Sequence, residues 1–351
     1  MKPTVAVLVP TYRRPALLRR TLASITAQRV EGFDVEVWVY DNASGDDTER
    51  VVREAGAGTM PVRYVQRPHN IGSVRNFIGA IRDVRSTFFA IISDDDVLLP
   101  GALQRSVSAL LAHPAASAWN GVTLSASEQQ LVAYRPAPQW PMGLTDGLAA
   151  LDLISRNIRP ETTGMVFRST IVDEQFYVDD DTFMAQDLLW LCRAARAGSI
   201  GVSPRPTGIL YSHADSISSS GGASQTVSVL FPAIPRLCEA LQTWDLPEPL
   251  AGRVIRQFQA AFGAYGLTLV GYRAILAGDT GGLAAVEQTA AAYPWLGAVA
   301  ARLARARRQP RALVRLSILW LQLTQGNPRH KLSVVWWRLV RWPRYRAYLR
   351  A

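Results

Sequence analysis

The apolar positions in the first hundred residues fall into short blocks separated by amphipathic segments. "VAVLVP" (Val5–Pro10) is a continuous apolar run, as a parallel strand covered on both faces requires. A helix is predicted from Pro15, with Leu17, Leu18, Leu22 and Ile25 on one face and proline in the first turn. "VEVWVY" (Val35–Tyr40) reads as a second strand, and the turn-rich "DNASGDD" after it leads into a helix over 46–55. "VRYV" (Val62–Val65) is a third strand, followed by "RPHNIGS" and a helix over 74–84. The fourth strand, "TFFAII", runs straight into Asp94, Asp95 and Asp96.

Strand–helix alternation of this kind implies an α/β fold with a mainly parallel sheet and right-handed crossovers. Ligands of such sheets gather outside the carboxyl ends of the strands. Thr11–Tyr12, Asp41–Asn42 and Asp94–Asp96 each follow a strand directly, so they are expected at one edge. Past Pro114 the pattern is mixed. Short strands are predicted near 116–120, 131–134 and 164–168, an amphipathic helix over 186–197, and two short strands within "SIGVSPRPTGILYSH" (199–213). Residues 214–226 read as a Gly/Ser-rich loop. From 227 onward the pattern is helical, with breaks at 278–282, 294, 310 and 328. The expected division is a catalytic domain over 1–226 and a helical region over 227–351.

Composition adds an asymmetry. The chain has 351 residues and a net charge of +10, yet beyond Glu287 it holds no acid, and residues 300–351 carry 13 Lys and Arg. The preceding part is nearly neutral, so the basic character belongs to the C-terminal end. Interleaved with tryptophan, as in "KLSVVWWRLVRWPRYRAYLR", that end suits either packing on the catalytic domain or contact with an anionic membrane surface. "RALVRLSILWLQL" (311–323) is too short and charged to span a bilayer. No nucleic-acid reading motif accompanies the charge. Cys192 and Cys238 in apolar surroundings point to a reducing compartment, and the N-terminus reads as a first strand rather than a leader, so a cytoplasmic location is expected.

Three adjacent carboxylates repel one another unless a cation sits among them. An acid cluster at the end of a parallel strand suits Mg²⁺ or Mn²⁺ bound with a phosphate-bearing ligand. The same triplet also reads as a solvated turn before the helix beginning near Gly101. Asp187, opening the helix over 186–197, reads as an N-cap or as a catalytic base.

Taken in order, "VPTYRR", "YDNASGDDT", "NIGSVRN" and "ISDDDVLLPGAL" resemble the nucleotide-binding half of family 2 glycosyltransferases, whose fold is GT-A. The resemblance covers about residues 3–215 and is greatest to the abequosyltransferase-like branch that builds O-antigen and exopolysaccharide. It implies a nucleoside-diphosphate sugar donor held by Pro10, Thr11, Tyr12, Asp41, Asn70, Arg75, Asp94 and Gly164. It implies a divalent metal, Mn²⁺ or Mg²⁺, at Asp95 and Asp96 with His213, Asp95 being the favoured ligand. The family's Glu-Asp pair appears as Gln186–Asp187, so Asp187 inherits the role of general base. Transfer with inversion to a lipid-linked saccharide, on the cytoplasmic face of the inner membrane, is the implied activity. A sugar-phosphate nucleotidyltransferase is the alternative, against which the absence of a "GGxGTRL"-like loop after the first strand counts. A non-catalytic binding protein on the same scaffold is the third reading, since Ser93 and Gln186 depart from the family pattern.

Overall fold

A computed structural model describes residues 2–127, 133–135, 140–173, 176–177, 185–213, 227 and 231–324. The apolar run at the start forms β1 (Thr4–Thr11), which pairs in parallel with β2 (Asp34–Asp41) on one side and with β4 (Phe88–Ile91) on the other. β3 (Val62–Gln66) continues the parallel set beyond β2. The side chains of β1 alternate between two cores: Val5, Val7 and Val9 enter one, Ala6 and Leu8 the other. A central strand with both faces covered must be apolar throughout, which explains the continuous run.

The crossover helices divide accordingly. α1 (Pro15–Thr26), α2 (Thr48–Ala55) and α4 (Ala102–Ala112) bury their apolar stripes on the Val5/Val7/Val9 side. α3 (Ser73–Arg82), α5 (Gly147–Ser155) and α6 (Gln186–Ala197) cover the other face. α1 opens with proline at its first position, where the missing N–H costs nothing.

Beyond β4 the sheet turns mixed. Its order is β3-β2-β1-β4-β9-β6-β10-β5, with β9 (Val166–Arg168) antiparallel between β4 and β6 (Ala116–Ser127). β5 (Val97–Leu98) closes one end, β7 (Ala133–Arg135) pairs with β6, and β8 (Gly143–Thr145) pairs with β10. β10 is one strand over Ser199–Ser212, parallel to β6, where two short strands were expected. Pro204 and Pro206 made the stretch read as broken. The register shifts between Ser203 and Gly208 absorb them, bulges being where a sheet tolerates proline.

The helical region has two parts. α7 (Ala233–Gln242) and α8 (Leu250–Phe258) pack against α5 and α6, so Leu237, Leu241, Val254 and Phe258 belong to the core under the sheet. The guanidinium of Arg253 on α8 donates to Asp152 on α5 at 3.1 Å. A π-turn (Gln259–Ala264) joins α8 to α9 (Tyr265–Ala277). α9, α10 (Thr280–Ala292), α11 (Gly297–Arg307) and α12 (Arg311–Thr324) then form a separate apolar cluster around Leu267, Val286, Leu303 and Val314. The stretch Leu250–Ala277 is long and apolar enough to cross a membrane by length and composition, but its apolar residues serve both of these cores.

Candidate functional site

The parallel order β3-β2-β1-β4 places the ends of β1 and β4 side by side, and the first two bonds of the site cross that gap. Thr11, the last residue of β1, donates its hydroxyl to Asp94 Oδ2 at 2.7 Å. Arg14 Nη1, just ahead of α1, lies 3.4 Å from both Asp94 Oδ1 and Asp95 Oδ2. Part of the positive charge the triplet requires therefore comes from Arg14. The main chain of the triplet is fixed as well. The Thr21 hydroxyl lies 2.9 Å from the carbonyl of Asp94 and 2.7 Å from that of Asp96, donating to one at a time. Arg20 donates to the Asp95 carbonyl at 2.7 Å while its guanidinium stacks 4.0 Å above the Tyr211 ring.

Each acid of the triplet has its own environment. Asp96 accepts from Thr163 Oγ1 at 2.6 Å and from the Tyr211 amide at 3.0 Å. Asp95 Oδ2 lies 3.0 Å from His213 Nε2. Burial, with the charge of Asp95 adding to it, pushes the Asp94 carboxyl up to about 6 and holds Asp96 well above the ordinary carboxylate range. These are oxygen donors whose charged form is penalised, so a hard divalent cation suits them. Among the described residues no three His, Cys, Asp or Glu side chains form a cage for a metal. The donor set fits a cation that completes its shell from a ligand, as Mg²⁺-type sites with phosphates do.

The opposite wall begins with Asp187 in the first turn of α6. Ala185 is the N-cap and makes no side-chain capping bond, and the Asp187 carboxylate is held instead by Arg159 Nη1 at 3.2 Å from Oδ2. Of the Asp187 side chain, 38% stays exposed, so it can meet a ligand. Between the walls runs the 161–164 loop, pinned from below by Asn120, whose amide donates to the carbonyls of Glu161 (2.7 Å) and Thr163 (3.1 Å). Gly164, at φ +76°, takes a left-handed turn that other residues adopt only with strain, directly after the Thr163 that holds Asp96.

On the third side Asn42 organises the loop after β3. Its Oδ1 accepts from the Ile71 amide at 2.9 Å, and its Nδ2 donates to Asn70 Oδ1 at 2.9 Å and to the Gly72 carbonyl at 3.2 Å. Asp41 faces inward: Tyr64 donates to Oδ2 at 2.6 Å, while the amide (3.1 Å) and hydroxyl of Ser44 donate to Oδ1. Burial and the neighbouring Asp41 charge raise the Tyr64 phenol well above its usual range.

These elements enclose a cleft of about 680 Å³. Of the residues expected from sequence, Pro10, Thr11, Tyr12, Asn70, Asp94, Asp95, Asp96 and Asp187 line it. Asp41, Arg75, Gly164 and His213 do not. Asp41 lies fully buried behind the wall, Arg75 is exposed on α3, and His213 backs Asp95. Arg14, Arg20, Thr21, Arg159 and Tyr211 are site residues that were not singled out from sequence. The basic pair of "TYRRP" was the one available signal, since the other contacts join residues far apart in the chain. A second acid run, Asp179–Asp181, which reads from sequence as turn chemistry or an acceptor-side contact, lies outside the described residues, as do the loop at 214–226 and the basic segment at 331–350.

Residues 6–172 match the family model described as Glycosyl transferase family 2. Over 100 residues the chain is 30% identical to an abequosyltransferase of Salmonella typhimurium, covering 28% of this chain and 30% of that one. Over 102 residues it is 32% identical to the GalNAc(5)-diNAcBac-PP-undecaprenol beta-1,3-glucosyltransferase of Campylobacter jejuni, covering 29% and 32% respectively. The matched segment thus spans about a third of the length of these curated relatives. Among solved structures, residues 1–349 of S. aureus TarS in complex with UDP-GlcNAc superpose with a TM-score of 0.65 at 16% identity, covering 90% of this chain and 92% of that chain. That likeness establishes a GT-A-like fold.

Proposed function

The chain carries a Glycosyl transferase family 2 domain over residues 6–172, and from that premise we propose that it moves a sugar, with inversion, from a nucleoside-diphosphate donor to a hydroxyl of a lipid-linked saccharide. One observation carries the reading. Asp187 and the triplet Asp94–Asp96 lie far apart in the chain and line the same cleft, at the carboxyl ends of β1 and β4.

In the proposed reaction the acceptor oxygen bonds to the anomeric carbon as the bond from that carbon to the diphosphate breaks. The acceptor proton passes to the Asp187 carboxylate, which Arg159 holds in place through Oδ2. Attack from the face opposite the leaving group inverts the centre, as in single-displacement sugar chemistry generally. A divalent cation at Asp95, with Asp94 and Asp96 beside it and His213 behind, would supply Lewis-acid stabilisation of the departing diphosphate. Arg14, already between Asp94 and Asp95, adds fixed positive charge on the same side. The loop at 70–72, fixed by Asn42, forms the wall nearest the end of β2, where the nucleoside would lie.

The acceptor class rests on the Campylobacter jejuni relative, whose name specifies an undecaprenol-linked saccharide. With such an acceptor the proposed site of action is the cytoplasmic face of the inner membrane.

The test separates binding from chemistry. Asp187→Asn should lose turnover of a nucleotide sugar by about 10²–10⁴-fold while retaining affinity for the nucleoside diphosphate. Unchanged turnover in that variant would remove Asp187 as the base.

A further inference from the structure

α12 is apolar on two faces. Val314 is fully buried, and Ile318 and Leu321 pack beside it against the cluster around Val286 and Leu303. At about 100° per residue, Leu313, Leu316, Leu319 and Trp320 fall on a different arc of the helix. They are 46%, 57%, 50% and 68% exposed. Eight large apolar side chains are well exposed among the described residues, and half of them lie on this one helix. Single exposed leucines need no explanation, but a stripe on one helix does.

The surroundings of the stripe are cationic. Arg305 and Arg308 at the end of α11, and Arg311 and Arg315 on α12, are all exposed. Glu287, the last acid in the sequence, is already paired with Arg307 at 3.0 Å. Among the described residues no carboxylate forms a salt bridge with Arg305, Arg308, Arg311 or Arg315. A second copy of the chain would bring only more positive charge, because a two-fold contact uses the same basic patch on both subunits. An apolar stripe bordered by arginines on a surface helix is the pattern of a helix lying in a bilayer interface. Leucines enter the acyl boundary, and guanidinium groups reach the phosphates on flexible stems.

We propose that the outer face of α12, with Leu313, Leu316 and Leu319 and with Arg311 and Arg315 along one flank, docks on an anionic lipid bilayer. No residue of this face belongs to the cleft, so lipid docking is independent of the glycosyltransferase reading.

The experiment is co-sedimentation of the full chain with phosphatidylcholine vesicles, with and without phosphatidylglycerol, at low and high salt. The wild type should sediment with the anionic vesicles, release as salt rises, and ignore pure phosphatidylcholine. Leu316→Ser with Leu319→Ser should lower the vesicle partition coefficient about tenfold or more, and Arg311→Gln with Arg315→Gln should weaken it and flatten the salt dependence. Both pairs are exposed, so thermal unfolding and nucleoside-diphosphate binding should match the wild type, showing that the fold and cleft are intact. Failure of the wild type to sediment with anionic vesicles would overturn the proposal, as would undiminished binding by both variants. A dimer in sedimentation velocity without lipid, abolished by the leucine substitutions, would assign the face to a second copy and overturn it too.

Discussion

Asp96 has a protein partner on each carboxylate oxygen, Thr163 on one and the Tyr211 amide on the other, at a position that burial makes hostile to charge. Thr163→Ala removes one of those donors and leaves a buried acceptor short of a bond. The expected cost is about 1–3 kcal/mol, read as a lower urea midpoint with an unchanged slope. Thr163→Ser, which keeps the hydroxyl, should recover most of it. The location of the acid triplet was legible from sequence because a strand predicts where its end lies; for Asp187 helical periodicity gave the position, and only the resemblance to the family's Glu-Asp pair pointed to a role. Arg14 and Arg159 were not legible, because their roles exist only in contacts that close when distant elements meet. Asp41 illustrates the opposite case. Its position at the end of β2 is as expected, while its carboxylate is taken up by Ser44 and Tyr64, which no pattern announces.

Among the elements, β6 and β10 carry the second half of the sheet and approach one another unusually closely at the bulge. A Cβ on Gly121 would lie 2.1 Å from the Arg205 carbonyl oxygen, a backbone atom that cannot turn aside. Gly121→Ala should therefore force the two strands apart and destabilise by about 1–3 kcal/mol, measured by denaturant unfolding. Because β10 ends in the Tyr211 amide bound to Asp96, the same variant should also weaken nucleoside-diphosphate binding. The first four strands and their helices were readable to within a residue or two, since each is short, apolar and bounded by turn residues. β10 was not, because two prolines normally end a strand and only its pairing with β6 shows that they occupy a bulge.

For the whole molecule, the boundary expected at residue 226 falls inside a shared core. α7 and α8 bury Leu237, Leu241, Val254 and Phe258 with residues of α5 and α6, the helix that bears Asp187. A chain ended at 226 should expose that surface and lose cooperative unfolding by circular dichroism; a cooperative transition in such a fragment would show that the helices are dispensable. A helical periodicity alone could not reveal this, since α8 and α11 read alike as amphipathic segments until their partners are known.

The cleft between β1, β4 and α6 is expected to bind a nucleoside diphosphate through a cation at the acid triplet. Thermal stability measured with UDP, GDP, dTDP and CDP, each with and without Mn²⁺, tests this most directly, with Asp95→Ala alongside. One nucleotide at a hundred times its dissociation constant should stabilise the wild type by about 2.7 kcal/mol, with Mn²⁺ required and the effect lost in Asp95→Ala. Absence of any shift, or an undiminished shift in Asp95→Ala, would contradict the account.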